Sequence, residues 1–251
     1  MTDYLVVLLA GLLAGLLNAV GGGGTFVALP TLVAAGMPSV TANAATTVAL
    51  LPAAMTSAWV LRRDLTPLTN VPTRALTAIS VIGGAAGAVL LLALPAVAFD
   101  AVVPWLLAFA TLVLAFGRRV TKLFTTSVAL GPGVVLAGQF VLALYGGYFG
   151  GAVGMLMVAF WAAGLGHDLA ALNPMRVAQL AAIYLTAAGI FLVASDVGES
   201  PTVLGILLVG AVAGGFGGAH VARRLPAGVL RGLVLSSAVT STTLYFLKEL
   251  G

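Results

Sequence analysis

From Tyr4 to Met37 the chain runs without a charged residue, and four consecutive glycines, Gly21–Gly24, cut that run in two. As one straight helix, these roughly 34 residues would reach about 50 Å, whereas a hydrocarbon core is about 30 Å thick. The segment is too long for one ordinary span, and it carries its own breaking point. A related arrangement, around Gly150, Gly151 and Gly154, recurs in the second half of the chain. Glycine-interrupted apolar segments in corresponding positions of two halves point to a ligand site at the breaks.

Composition places the whole chain in a membrane. It is 61% hydrophobic and 7% charged, with a mean hydropathy of +1.16, where soluble domains carry about 25% charged residues. No hydrophilic stretch is long enough for a separate soluble domain, so all 251 residues are expected to form one integral membrane domain. The first segment lacks the basic flank of a cleavable signal and is kept as mature structure. With no cysteine, disulfides, thiolate metal sites and thiol chemistry are excluded. The high pI, near 9.9, does not point to nucleic acid, because the basic residues sit in short connections where they set topology.

The two halves correspond in order. At an offset of 130, Gly21 meets Gly151, Gly24 meets Gly154, Gly36 meets Gly166, Asn43 meets Asn173 and Thr56 meets Thr186. At 131, Gly83-Gly84 meets Gly214-Gly215, Gly87 meets Gly218, and Leu94-Pro95 meets Leu225-Pro226. Residues 1–122 form the first expected repeat, with a broken segment at 4–36 and spans at 42–61, 74–95 and 101–117. Residues 123–251 form the second, with a broken segment at 128–165 and spans at 172–194, 202–222 and 229–247. Arg62, Arg63 and Arg74 bracket one cytoplasmic loop, and Arg118, Arg119 and Lys122 occupy another. Asp100 lies in the external loop between. In the second half the signs reverse: Asp196 and Glu199 mark an external loop, Arg223, Arg224 and Arg231 a cytoplasmic one. Asp100 thus aligns with Arg231. The expected fold is an all-α polytopic membrane protein of two inverted repeats, each a glycine-broken helical hairpin plus three transmembrane helices. Every basic residue but Lys248 then faces the cytoplasm, and both termini lie outside. A kinked single pass through each broken segment is the alternative.

Backbone breaks at membrane depth are tolerated only where protein or a water-filled cavity surrounds them. New helices starting near Gly24 and Gly154 offer free N–H groups, which suit an anion. Gly22, Gly23, Gly24, Gly151 and Gly154 are therefore candidate ligand contacts, with tight helix packing as their bland alternative. Asn18 and Thr25 flank the first break, and Tyr148 takes the place of Asn18 at the second. Asn43 and Asn173 open the following spans, where each can cap its helix or touch ligand. Thr46 and Thr47 lie in the first turn after Asn43. Gln139 and Gln179, inside apolar spans, need partners or a cavity. Arg176 shares a helix face with Asn173 and can pair with an oxyanion, or else snorkel to the cytoplasmic interface. His167 and His220 fall near span ends and carry little signal. Trp59, Trp105 and Trp161 read as lipid or interface packing, and Pro52 as a mid-span kink. No Asp or Glu falls inside an expected span, which argues against proton coupling through a carboxylate. No Walker motif is present, and no cofactor is expected, though unwound carbonyls could hold Na+ as a coupling ion.

At these residues the chain resembles the sulfite exporter TauE/SafE family, the 4-toluene sulfonate uptake permeases. The resemblance is carried by Ala14-Gly15-Leu16-Leu17-Asn18-Ala19-Val20-Gly21-Gly22-Gly23-Gly24, by Thr41-Ala42-Asn43-Ala44 and by Gly146-Gly147-Tyr148-Phe149-Gly150-Gly151-Ala152-Val153-Gly154. Asn173 through Arg176, Gly214 through Ala219 and Arg223-Arg224-Leu225-Pro226 extend it. Pro174 departs from the first-half pattern and bears on how that helix starts. The resemblance implies a non-enzymatic transporter in a cell inner membrane, moving sulfite, sulfoacetate or another organosulfonate. Alternating access around a midplane site is the expected mechanism and export the expected direction. The alternatives are import or channel flow of the same anions, or a membrane scaffold.

Overall fold

The structure is a computed structural model that describes residues 4–68, 71–123, 130–165, 171–222 and 227–250. It is all-helical there: α1 (Tyr4–Gly21), α2 (Thr25–Ala34), α3 (Ser39–Leu61), α4 (Thr73–Ala93), α5 (Ala96–Leu123), α6 (Pro132–Tyr148), α7 (Val153–Leu165), α8 (Asn173–Ala194), α9 (Pro201–Ala222) and α10 (Ala227–Leu250). Long uncharged sequences become helix because a lipid-embedded backbone must bond its own N–H and C=O groups. Among the described residues, Ser39–Asp64, Thr73–Ala93, Ala96–Phe116 and Asn173–Ala194 are long and apolar enough to cross a bilayer.

Both glycine runs interrupt helix. α2 has 10 residues and α7 has 13, which at ~1.5 Å each reach only part of the way across. The chain doubles back at each break. Leu130 N–H donates to Gly164 O at 3.0 Å, Gly138 faces Phe160 and Gly146 faces Val153, so α7 runs antiparallel along α6. At the first break a Cβ on Gly24 would lie 2.6 Å from Ala14 O and 3.1 Å from Asn18 Cβ. These are helical hairpins, not kinked single helices.

The tightest helix pairs are α1 with α9 and α4 with α6. Apolar burial gives no drive between helices already in lipid; close van der Waals contact does. A Cβ on Gly15 would sit 2.0 Å from Ala211 O, and one on Gly87 2.1 Å from Leu144 O. No side chain fits at either place. α3 packs on α8, and α5 on α10. Outward faces are apolar: Val97, Val193, Trp59 and Trp105 are all exposed, which suits lipid rather than water.

Several expectations change. α3 begins at Ser39, so Asn43, Thr46 and Thr47 lie beyond its first turn, and Asn43 does not open the helix. α4 ends before Pro95 because a residue preceding proline avoids helical angles, and α5 restarts at once. Asp100 therefore lies in the second turn of α5, inside a candidate span rather than in a loop, although at its exposed end. The same helix continues to Leu123 and absorbs Arg118, Arg119 and Lys122, which are good helix formers. Trp161 is 1% exposed, within the core, not in the lipid or interface position expected of it. Residues 128 and 129, Gly166, His167 and Arg223 through Pro226 lie outside the described residues, as do the side chains of Gly218, His220, Arg231 and Lys248.

Candidate functional site

Each hairpin turns through a glycine with left-handed backbone angles. Gly22 has φ +76° and Gly150 φ +81°, a region that costs other residues about 1–2 kcal/mol. Both lie three residues before the next helix, at Thr25 and Val153. Ala152, 130 residues after Gly22, is left-handed as well, at φ +58°. Around the breaks, the N–H groups of Gly24 and Thr25, and those of Gly151 through Gly154, have no backbone acceptor among the described residues.

Arg176 reaches into this region from α8. It is 4% exposed, and no other charged residue among the described ones is buried. Its Nε and Nη2 donate to Asn173 Oδ1 at 3.0 and 2.8 Å. Its Nη1 is buried without a partner. A Cβ on Gly154 would stand 2.9 Å from Nη1, and one on Gly22 3.8 Å from it. The guanidinium thus lies beside both breaks, and its side chain does not snorkel toward the interface. Asn173 acts as its anchor and does not cap α8, which starts with Pro174 in its first turn, where a missing N–H costs nothing.

Tyr184, two turns after Arg176, ties the breaks together. Its hydroxyl donates to Gly150 O at 3.4 Å and lies near Thr25. Asn43 Nδ2 donates to Tyr148 O at 2.8 Å, leaving Asn43 Oδ1 buried with no donor. Asn18 Oδ1, at the end of α1, is buried and unpaired in the same way. Tyr148 contributes its carbonyl; its ring packs edge-on against Phe99.

Other candidates fall elsewhere. A Cβ on Gly151 would meet the Phe149 ring at 2.5 Å, and Gly151 O accepts from Tyr145 Oη at 2.8 Å. Gly151 faces packing, not the guanidinium. Gly24 packs against Ala14, Asn18 and Leu50. Gly23 donates to Leu17 O and accepts from Phe26 N. Thr46 bonds back to Ala42 O at 2.8 Å and Thr47 to Asn43 O at 3.2 Å, satisfying their hydroxyls within α3. Gln179 belongs to a separate buried chain. Gln139 Nε2 donates to Ser80 Oγ (2.8 Å), Ser80 to Gln179 Oε1 (2.9 Å), and Gln179 Nε2 to Thr77 Oγ1 (3.1 Å). At the offsets of 130 and 131 residues, positions 9, 49 and 211 are Leu9, Ala49 and Ala211.

Tyr184, Ser80 and Thr77 were not singled out by sequence. Tyr184 follows Arg176 at a two-turn spacing, which was its only available signal; nothing local marked Ser80 or Thr77. A cavity of about 630 Å³ opens between the α2–α3 turn, α5 and α10, lined by Gly36, Ser39, Asp100 and Tyr245 among others. Ser39 donates to the Asp100 carboxylate there, and that carboxylate makes the cavity hostile to an anion. Among the described residues no cluster suits a metal ion.

The family model described as Sulfite exporter TauE/SafE matches residues 7–244. No curated protein and no solved structure matches the chain.

Proposed function

The chain belongs to the sulfite exporter TauE/SafE family, and on that footing we propose that it carries small sulfur-containing anions, such as sulfite, sulfoacetate or related organosulfonates, outward across a cell inner membrane. One observation carries the reading: Arg176 is buried, has no acidic partner among the described residues, and holds a free Nη1 beside Gly22 and Gly154. An unpaired buried charge is costly in a membrane protein, and it marks a functional site. A negatively charged ligand supplies the missing counter-charge, with free N–H groups at the breaks adding hydrogen bonds.

Two inverted halves, 1–122 and 123–251, fit the pairing of helices. α1 packs on α9 and α6 on α4, while α3 meets α8 and α5 meets α10. Under the offset of 130–131 residues, α1 corresponds to α6 and α4 to α9, so each close pair maps onto the other. Gly83 meets Ala143 where Gly214 meets Leu12, the same contact shifted by 131 residues. The site lies where the halves meet, and relative motion of the halves would open it to each side in turn. Arg62 stacks 3.7 Å from the Trp59 ring centroid, an arrangement suited to the cytoplasmic interface. The protein acts without catalysis or a bound cofactor, and Na+ is a candidate coupling ion.

The test is sulfite efflux from vesicles holding the purified protein, with and without sodium. Saturable flux that falls at least tenfold in Arg176→Met supports the proposal. Equal flux in the variant, or none above protein-free vesicles, refutes it.

A further inference from the structure

We infer that the ligand held at Arg176 is a singly charged sulfur oxyanion that carries its own proton, hydrogen sulfite rather than the sulfite dianion; this rests on the anion site proposed above. Two independent features point there. The first is charge. Arg176 is the sole buried charged side chain among the described residues. Each break also joins a helix C-terminus to a helix N-terminus, α1 to α2 and α6 to α7, so the opposing dipole ends largely offset one another. One guanidinium therefore faces the ligand with little other fixed charge. A single negative charge is neutralised there, whereas a second would be buried unpaired.

The second feature is an acceptor with nothing to accept. Asn43 Nδ2 donates to the Tyr148 carbonyl, which can only accept. That bond fixes the amide orientation, so the atom left over is an oxygen and not a nitrogen. Asn43 Oδ1 is buried without a donor, and so is Asn18 Oδ1 near the first break. A fully deprotonated oxyanion offers only further acceptors, and facing these oxygens it would repel them. A ligand with an O–H gives one of them a bond while its charged oxygens face Arg176 Nη1. The residues around the breaks thus offer one cationic donor and neutral acceptors, which suits an acid salt.

The experiment measures anion binding to the purified protein in detergent between about pH 6 and pH 8, where Arg176, Tyr184, Tyr145 and Tyr148, the titratable groups around the breaks, ordinarily hold one state. The probes are sulfite, which loses its second proton near neutrality, methanesulfonate, which is singly charged without a proton, and sulfate and sulfoacetate, which are doubly charged. Sulfite affinity is expected to fall about tenfold per pH unit above its second ionisation, while methanesulfonate affinity stays flat. At the acid end, hydrogen sulfite should bind about tenfold more tightly than methanesulfonate, and methanesulfonate about tenfold more tightly than either dianion. Sulfite binding that ignores its protonated fraction, or a dianion that equals methanesulfonate, overturns the inference while leaving an anion site standing. So does methanesulfonate equalling hydrogen sulfite. Binding by none of the four, or binding unchanged in Arg176→Met, overturns the site itself and this inference with it.

Discussion

Replacing Gly154 with alanine separates binding from folding at this site. Gly154 lies inside α7 and has no positive φ, so alanine fits the backbone and should favour the helix by roughly 0.5–1 kcal/mol. The new methyl, however, would stand 2.9 Å from Arg176 Nη1 and 3.3 Å from its Cδ, where ordinary contact needs about 3.5–4.0 Å. The guanidinium is the free end of a flexible chain and can retreat. Retreat withdraws Nη1 from the breaks, and with it the hydrogen bond an anion there would receive. A hydrogen bond to a charged group contributes about 1.5–3 kcal/mol, so anion affinity should fall roughly ten- to a hundredfold. Titration calorimetry with sulfite and thermal unfolding of the same samples read the two effects. The expected result is weakened binding in a protein whose ligand-free melting temperature is not lowered. Wild-type affinity in Gly154→Ala would refute the placement of the ligand at Nη1, because no anion contact there survives the methyl.

Arg176→Met removes a buried unpaired charge, so the ligand-free protein should melt at or above the wild-type temperature while sulfite no longer raises it; a lowered melting temperature would show that the charge is structurally compensated. Ser80→Ala strips a partner from both Gln139 and Gln179, and each orphaned amide costs about 1–3 kcal/mol. A loss of several degrees in thermal unfolding, with sulfite affinity unchanged at the melting-corrected temperature, is expected, since this chain lies apart from Nη1. Gly87→Val places a side chain where Leu144 O lies 2.1 Å from the Cβ position, so α4 and α6 cannot pair; size-exclusion chromatography in detergent should show aggregated protein, and a monodisperse wild-type-like peak would contradict that packing.

The breaks were readable from sequence because their signal is local. An uncharged run longer than a bilayer is thick, cut by glycines, has few ways to fold. Which glycine does what was not readable, since glycine looks the same whether it turns a chain, admits another backbone or leaves room for a guanidinium. Gly151 and Gly154 illustrate this: three residues apart, one faces Phe149 and the other Arg176. Asn43 misled for a related reason. Its side chain suits a helix cap, but α3 starts four residues earlier and the amide bonds Tyr148 O, 105 positions away.

Membrane residence, an all-helical chain and two interrupted segments follow from the order of residues alone, because lipid penalises every unbonded backbone group wherever it lies. The direction in which Arg176 points is a different kind of fact. The same residue, one turn into an apolar helix, can extend to the interface or turn inward, and local sequence does not choose between them. That choice depends on the space left beside Gly154 and Gly22 and on the oxygen of Asn173, and those come together only when α1, α7 and α8 are packed.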